Sequence, residues 1–389
     1  GRDLMTITLK RLGDIDTYVN GYAFKPTDWK NKGLPIIRIQ NLTNPDSPFN
    51  YYQGEIDDKY IVNKGDILIS WSASLGVFEW LGEKAVLNQH IFKVIFDKED
   101  IDKSYFKYIV QRSLERALKY LHGSTMKHIT KKYFDNILVP IPDLVTQKKI
   151  ANVLDKAQEL IDKRKAQIEA LDQLTQSVFL GMFGDPATNP KKWPMGFIKD
   201  LTLKTQYGTS KKASEDTGKY PILRMNNITY EGHWDLTDLK YVDLDDKEVE
   251  KYLVHKGELL FNRTNSKELV GKTAVYRFEK PMAFAGYLVK LIPNERANAE
   301  FISAYLNSKY GKSILFSMAK NIVGMANINA EELKSIKIYV PPKQLQDQFA
   351  EIVQKIESQR EFFKKGLVEL EKNFNSLMQH AFKGELFND

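Results

Sequence analysis

From Asp143 to Pro186 apolar residues recur at alternating spacings of three and four. Ile150, Leu154, Ala157, Ile161, Ile168, Leu171, Val178 and Met182 fall on one narrow stripe, interrupted only by Arg164 and Thr175. That is the a/d seam of a helix packed along its length against another helix. Pro140 and Pro142 block extension upstream, Asp143 or Thr146 can cap the first turn, and Gly184 and Pro186 are stop signals. About 40 residues at 1.5 Å each predict a rod of roughly 60 Å. A second stripe near the C-terminus reads Val353, Ile356, Phe363, Leu367, Leu370, Phe374, Leu377 and Ala381, broken once at Arg360. An offset of 199 positions carries Pro142 onto Pro341, Gln147 onto Gln346, Ala151 onto Ala350 and Leu171 onto Leu370. Two seams in matching register predict an antiparallel coiled coil formed within the chain.

The segments ahead of each rod repeat as well. LPIIRIQNLT (34–43), KGDILISWS (64–72) and AVLNQHIFKVIF (85–96) are apolar, β-branched runs bounded by turn-forming residues, which predicts strands. Residues 104–121 have helical spacing, and DNILVPIP closes the domain as a short strand. KYPILRMNNIT (219–229), YLVHKGELLFNR and AGYLVKLIP mirror the three strand runs, residues 301–316 supply the matching helix, and NIVGMANI mirrors HGSTMKHI. A repeat of half the chain suits a duplicated domain rather than a solenoid unit. The expected class is α+β, with α/β-type globular domains. The expected layout is residues 1–4 as a cloning remnant ahead of Met5, a domain over 5–142, a spacer helix over 143–186, a second domain over 187–341 and a second spacer helix over 342–389.

Composition narrows the picture modestly. The chain has 389 residues and no cysteine, which excludes disulfides and thiolate metal sites and fits a cytoplasmic setting. No apolar run approaches the length of a membrane span. A net charge of +7 with a pI near 9.0 is a mild pointer to a polyanionic partner.

No phosphate-loop, GxGxxG, HExxH or adenine-methyltransferase signature is present, and the six histidines are scattered, so no catalytic or metal-ligating residue is assigned. Polar loops carry the stronger signal. Behind a strand, Arg263, Thr264, Asn265, Ser266 and Lys267 combine guanidinium, amide and hydroxyl groups suited to bases and phosphates. Ser70, Trp71, Ser72 and Ser74 occupy the equivalent place in the first half. The late loops add Ser124, Thr125, Lys127, His128 and Lys131, with Asn321 and Asn327 in the second half. Arg38 and Asn41 recur as Arg224 and Asn227, next to Asn226; DNA contact and framework hydrogen bonding explain that recurrence equally well.

Two variable domains alternating with two similar long helices, each entered through a Pro-containing strand end (ILVPIPD, IYVPP), resemble the specificity subunit of type I restriction-modification enzymes. The likeness covers the chain from Met5 and rests on architecture together with the Gln147/Gln346 and KGD/KGE blocks. The resemblance implies two target recognition domains reading the halves of a bipartite, asymmetric double-stranded DNA site. It implies helices that space the domains and dock two modification (methyltransferase) subunits, with two restriction subunits completing the complex. No cofactor is expected in this chain; S-adenosylmethionine, ATP and magnesium belong to the partners. The alternatives from other classes are a coiled-coil scaffold with protein-binding ends and a DNA-binding regulator acting without methyltransferase partners.

Overall fold

The computed structural model describes residues 8–71, 75–120, 130–322 and 324–387. Two compact units emerge, Gly1–Lys163 with Leu367–Asp389 (unit 1) and Arg164–Gly366 (unit 2). The predicted rods are continuous helices, Leu144–Phe183 and Lys343–Phe382, each contributing residues to both units.

Unit 1 contains two four-stranded sheets. The first is antiparallel throughout, in the order Thr17–Asn20, Ile91–Ile95, Ile67–Ser70, Gly76–Glu79. The second runs Asn50–Tyr52, Leu34–Ile37, Ala85–Leu87, Ile61–Val62, its two central strands parallel. The helix Lys103–Tyr120 buries Tyr105, Phe106, Ile109, Val110 and Leu114 in a core that also holds Phe92 and Phe134. Leu138–Pro140 pairs antiparallel with Leu9–Arg11 before the first long helix begins.

Unit 2 has the same strand orders. Thr202–Tyr207, Leu288–Pro293, Leu259–Asn262 and Thr273–Val275 form one sheet; Lys240–Val242, Tyr220–Leu223, Met282–Phe284 and Leu253–Val254 form the other, again with a parallel central pair. Buried polar residues are duplicated with the strands. Lys93 donates to the Ile61 carbonyl at 2.7 Å, and Lys290 to the Leu253 carbonyl at 2.8 Å. At the start of each long helix Gln147 and Gln346 are buried; their Oε1 atoms accept from Asp102 N and Asn298 N, and their Nε2 atoms donate to Pro142 O and Pro341 O. A buried amide satisfied at both ends fixes the angle at which a helix leaves its domain.

Several predicted strands are shorter than their apolar runs. LPIIRIQNLT is a strand only to Ile37 and then turns into the helix Ile39–Thr43, because Asn41 Oδ1 accepts the Arg38 backbone N–H and stops the ladder. KYPILRMNNIT breaks in the same way, with Asn227 accepting from Arg224 N before the turn Met225–Asn227. AVLNQHIFKVIF is two strands in different sheets, divided where His90 takes a left-handed backbone (φ 72°). The helix over 301–316 is two, Ala299–Asn307 and Lys309–Met318. Ser308 is extended between them and its hydroxyl caps Gly311 N at 3.0 Å.

Within unit 1 the opening part of the first long helix packs against the end of the second: Ile150, Ala151 and Leu154 share a core with Met378, Ala381, Phe374 and Leu377. Within unit 2 the close of the first meets the start of the second, through Phe179, Phe183, Val178, Phe349 and Val353. Start meeting end in both units is the antiparallel coiled coil. Ile161 and Ile356 are buried, and Ile168, Leu171, Phe363, Leu367 and Leu370 half-buried. Asp143 is the observed cap, accepting from Thr146 N at 3.0 Å, and Gly184 (φ 84°) ends the helix. Arg164 lies 4.8 Å over the Phe363 ring, in space that a Cβ on Gly366 would fill. Arg360 stays inside the seam, paired with Asp172 at 2.7 Å.

Candidate nucleic-acid interface

In unit 2 strand pairing gathers most of the predicted residues. Thr264–Asn265 continues past the sheet strand Leu259–Asn262 and pairs with Met325–Asn327, which pairs in turn with Lys320–Ile322. Thr264 therefore faces Asn327 across more than 60 residues of sequence. Asn327 Oδ1 accepts from Thr264 Oγ1 at 3.0 Å and from Arg263 Nη1 at 3.3 Å. Arg263 Nε donates to Gly286 O at 2.7 Å, and its guanidinium lies 5.0 Å from the centre of the Tyr207 ring. Tyr207 is anchored by its hydroxyl, which accepts from Ala330 N at 2.9 Å, while 40% of its surface stays exposed. Asn265 ties the turn: Nδ2 donates to Asn262 Oδ1 and Oδ1 accepts from Ser266 N. Lys267 sits 4.7 Å over the Phe316 ring. Asn321 lies on the outer strand of this ribbon.

The recurrent pair resolves toward framework. Asn41 and Asn227 are buried, and both side-chain N–H donors of each are spent on backbone: Asn41 Nδ2 on Ser47 O and Pro48 O, Asn227 Nδ2 on Asp235 O and Asp238 O. Such a side chain staples its own loop rather than facing a base. Arg224 pairs with Asp238 at 3.0 Å, and Arg38 stacks 5.0 Å over the Trp29 ring. Asn226 is the exposed residue of its turn.

In unit 1 Ser70 is buried at the end of its strand. Trp71 stacks on Phe92 (5.3 Å, 13° between planes) and meets His90 edge-on at 5.5 Å. Lys131 is exposed, with Nζ 2.6 Å from Asp135 and within 6 Å of the Tyr18 and Phe92 rings. Ser72, Ser74, Ser124, Thr125, Lys127 and His128 lie outside the described residues.

Sequence reasoning passed over Tyr207, whose exposed ring lies against the Arg263 guanidinium, and Tyr287, whose carbonyl accepts from Arg263 N. Tyr287 was readable, since the mirrored blocks place it over His90; Tyr207 was not, because only strand pairing brings residue 207 to residue 263. The described residues hold no group of three or more His, Asp or Glu side chains placed to bind a metal ion. No helix among them is long and apolar enough to cross a membrane.

One α+β frame built twice, its exposed strand ends chemically distinct and its long helices paired, defines a two-domain recognition scaffold. The sequence model of the type I restriction modification DNA specificity domain matches residues 6–171 and again 190–372, and the chain belongs to this family. It is 24% identical to the specificity subunit of the type I restriction enzyme EcoKI of Escherichia coli K12 over 413 residues, covering 96% of this chain and 87% of that one. Against the EcoBI specificity subunit of E. coli it is 21% identical over 410 residues, covering 96% and 85%. Against the MjaVIII subunit of Methanocaldococcus jannaschii the values are 24% over 403 residues, covering 97% and 92%. Among solved structures, the S subunit of a type I restriction-modification system from M. genitalium superposes with a TM-score of 0.56 at 17% identity, covering 98% of this chain and 97% of the other. At that identity the likeness establishes the fold. DNA recognition is the role of the family.

Proposed function

We propose that this chain is the non-catalytic specificity subunit of a type I complex. Each α+β domain reads one half of a bipartite, asymmetric double-stranded DNA site, and the long helices dock two modification and two restriction subunits. S-adenosylmethionine, ATP and magnesium act on those partners, in the cytoplasm. The carrying observation is the duplication itself. Strand order, buried lysines and helix-entry glutamines are the same in both units, while the exposed ends of the matched strands differ. A shared frame with changed ends suits two readers of different sequences.

The test exchanges residues 193–341 for the same segment of a relative, expresses the hybrid with its modification subunits and maps methylated sites. One half of the target should change and the other persist; a change in both halves refutes independent reading. The chain alone, incubated with DNA and S-adenosylmethionine, should transfer no methyl groups above background.

A further inference from the structure

Three strand ends meet at one edge of the antiparallel sheet in each unit. Asn20 ends Thr17–Asn20 and Tyr207 ends Thr202–Tyr207. The following residues, Gly21 and Gly208, lie where a Cβ would strike the backbone of Asn88 and of Ala285. Their amides donate to Ile91 O and Leu288 O, at 3.0 and 3.1 Å. Trp71 and Arg263 follow the strands Ile67–Ser70 and Leu259–Asn262, while His90 and Tyr287 precede Ile91–Ile95 and Leu288–Pro293. The strand ends that carry these positions are matched in the two units, although of the His90/Tyr287 pair only His90 takes a left-handed backbone; the side chains at all three differ.

Within each set the residues touch. In unit 1, His90 N donates to Asn20 Oδ1 at 3.1 Å and its ring meets Trp71. In unit 2, Arg263 N donates to Tyr287 O at 2.9 Å and its guanidinium lies over Tyr207. Asn20 and His90 are exposed, as are Tyr207 and Tyr287, the last at 47%. Arg263 is held through Nε by Gly286 O and through Nη1 by Asn327, and Nη2 has no hydrogen bond among the described residues. A guanidinium fixed from behind and stacked on an aromatic ring presents its donors with little ordering cost, which suits the O6 and N7 edge of guanine. Trp71, flat on Phe92, offers no such donor.

Resting on the recognition role proposed above, we infer that Asn20, Trp71 and His90 in unit 1, and Tyr207, Arg263 and Tyr287 in unit 2, are the specificity-determining positions, each set reading base edges in its own half-site. The unit 2 set reads a guanine through Arg263, and the unit 1 set reads without an arginine.

The full-length chain with its modification subunits selects bound duplexes from a randomised pool, beside variants Tyr287→Ala and His90→Asn. Asparagine suits the left-handed backbone at position 90. Tyr287→His, which installs the unit 1 residue, stands in if Tyr287→Ala unfolds. Each variant should lose about tenfold or more in preference at one or two bases of one half-site and keep the other half. Arg263→Ala should abolish a guanine preference within the half-site that the Tyr287 variant alters. Parental selection by both variants, or an equal loss on every sequence, overturns the assignment and leaves the recognition role standing. A parent that selects nothing overturns both.

Discussion

In unit 1 the domain meets the long helices through apolar packing, the buried Gln147 amide and an exposed carboxylate. Tyr108 and Ser104 donate to Asp155 at 2.6 and 2.9 Å, above Ile150, Leu154, Met378 and Ala381. In unit 2 the corresponding joint includes a buried ionic cluster. His233 Nε2 lies 2.8 Å from Asp172 Oδ1 on the first long helix and its Nδ1 3.4 Å from Glu357 on the second. Arg360 also pairs with Asp172, and Arg277 is bidentate to Glu300 with Glu357 at 3.7 Å. The 199-position offset places Arg360 over Ile161, so one seam position carries a buried cation in unit 2 and a buried methyl group in unit 1. An apolar joint depends on area removed from water; an ionic one depends on every charge keeping its partner.

The largest expected effect comes from breaking that partnership. Arg360→Ala removes the cation facing Asp172 and should destabilise unit 2 by about 3 kcal/mol, whereas a buried pair replaced as a whole is often neutral. Urea unfolding with hydrogen exchange should place the loss in residues 164–366. An effect below about 1 kcal/mol would mean that the cluster is solvated.

Proton dependence sharpens the contrast. Burial pulls His233 down, but the Asp172 and Glu357 carboxylates outweigh it, and its pKa lies above the ordinary 6.5. Burial raises both acids, yet the neighbouring cations leave them below their ordinary values. A raised imidazole stabilises fully below its unfolded value and loses that contribution as pH rises through the folded one. Depressed acids stabilise above their unfolded values and lose it as pH falls. The joint should therefore be strongest between about pH 5 and 6.5 and weaken toward alkaline pH. His233→Gln should flatten the alkaline limb of a stability–pH curve measured for unit 2 amides; an unchanged limb would remove His233 from the account.

Unit 1 carries a site where substitution should stabilise instead. Asp16 is buried and neither carboxylate oxygen has a hydrogen-bond partner among the described residues. Burial, followed by the charge of Asp97, raises its pKa from 3.8 to about 7. A raised acid costs stability once pH exceeds its unfolded value, and the cost is complete above the folded one. Asp16→Asn should raise the unfolding temperature at about pH 8 and do little near pH 4. A loss at both would show that the carboxylate has a partner that asparagine cannot replace.

Periodicity was enough to read the rods, because an a/d stripe of that length has one way to be buried. The duplication was equally legible, down to Gln147 and Gln346, since both copies keep the residues that lock helix to domain. Local hydrogen bonding hid the strand ends: Asn41 and Asn227 stop runs that hydrophobicity alone would extend. Of the recognition surface, sequence carried the residue types behind the strands but not their company. Arg263 meets Tyr207 and Asn327 through strand pairing, and pairing register is a property of the assembled sheet. Arg360 is the same lesson inside a seam. The heptad pattern marked it as an interruption, and only the folded chain, by bringing Asp172, Glu357 and His233 around it, decided that its charge stays buried.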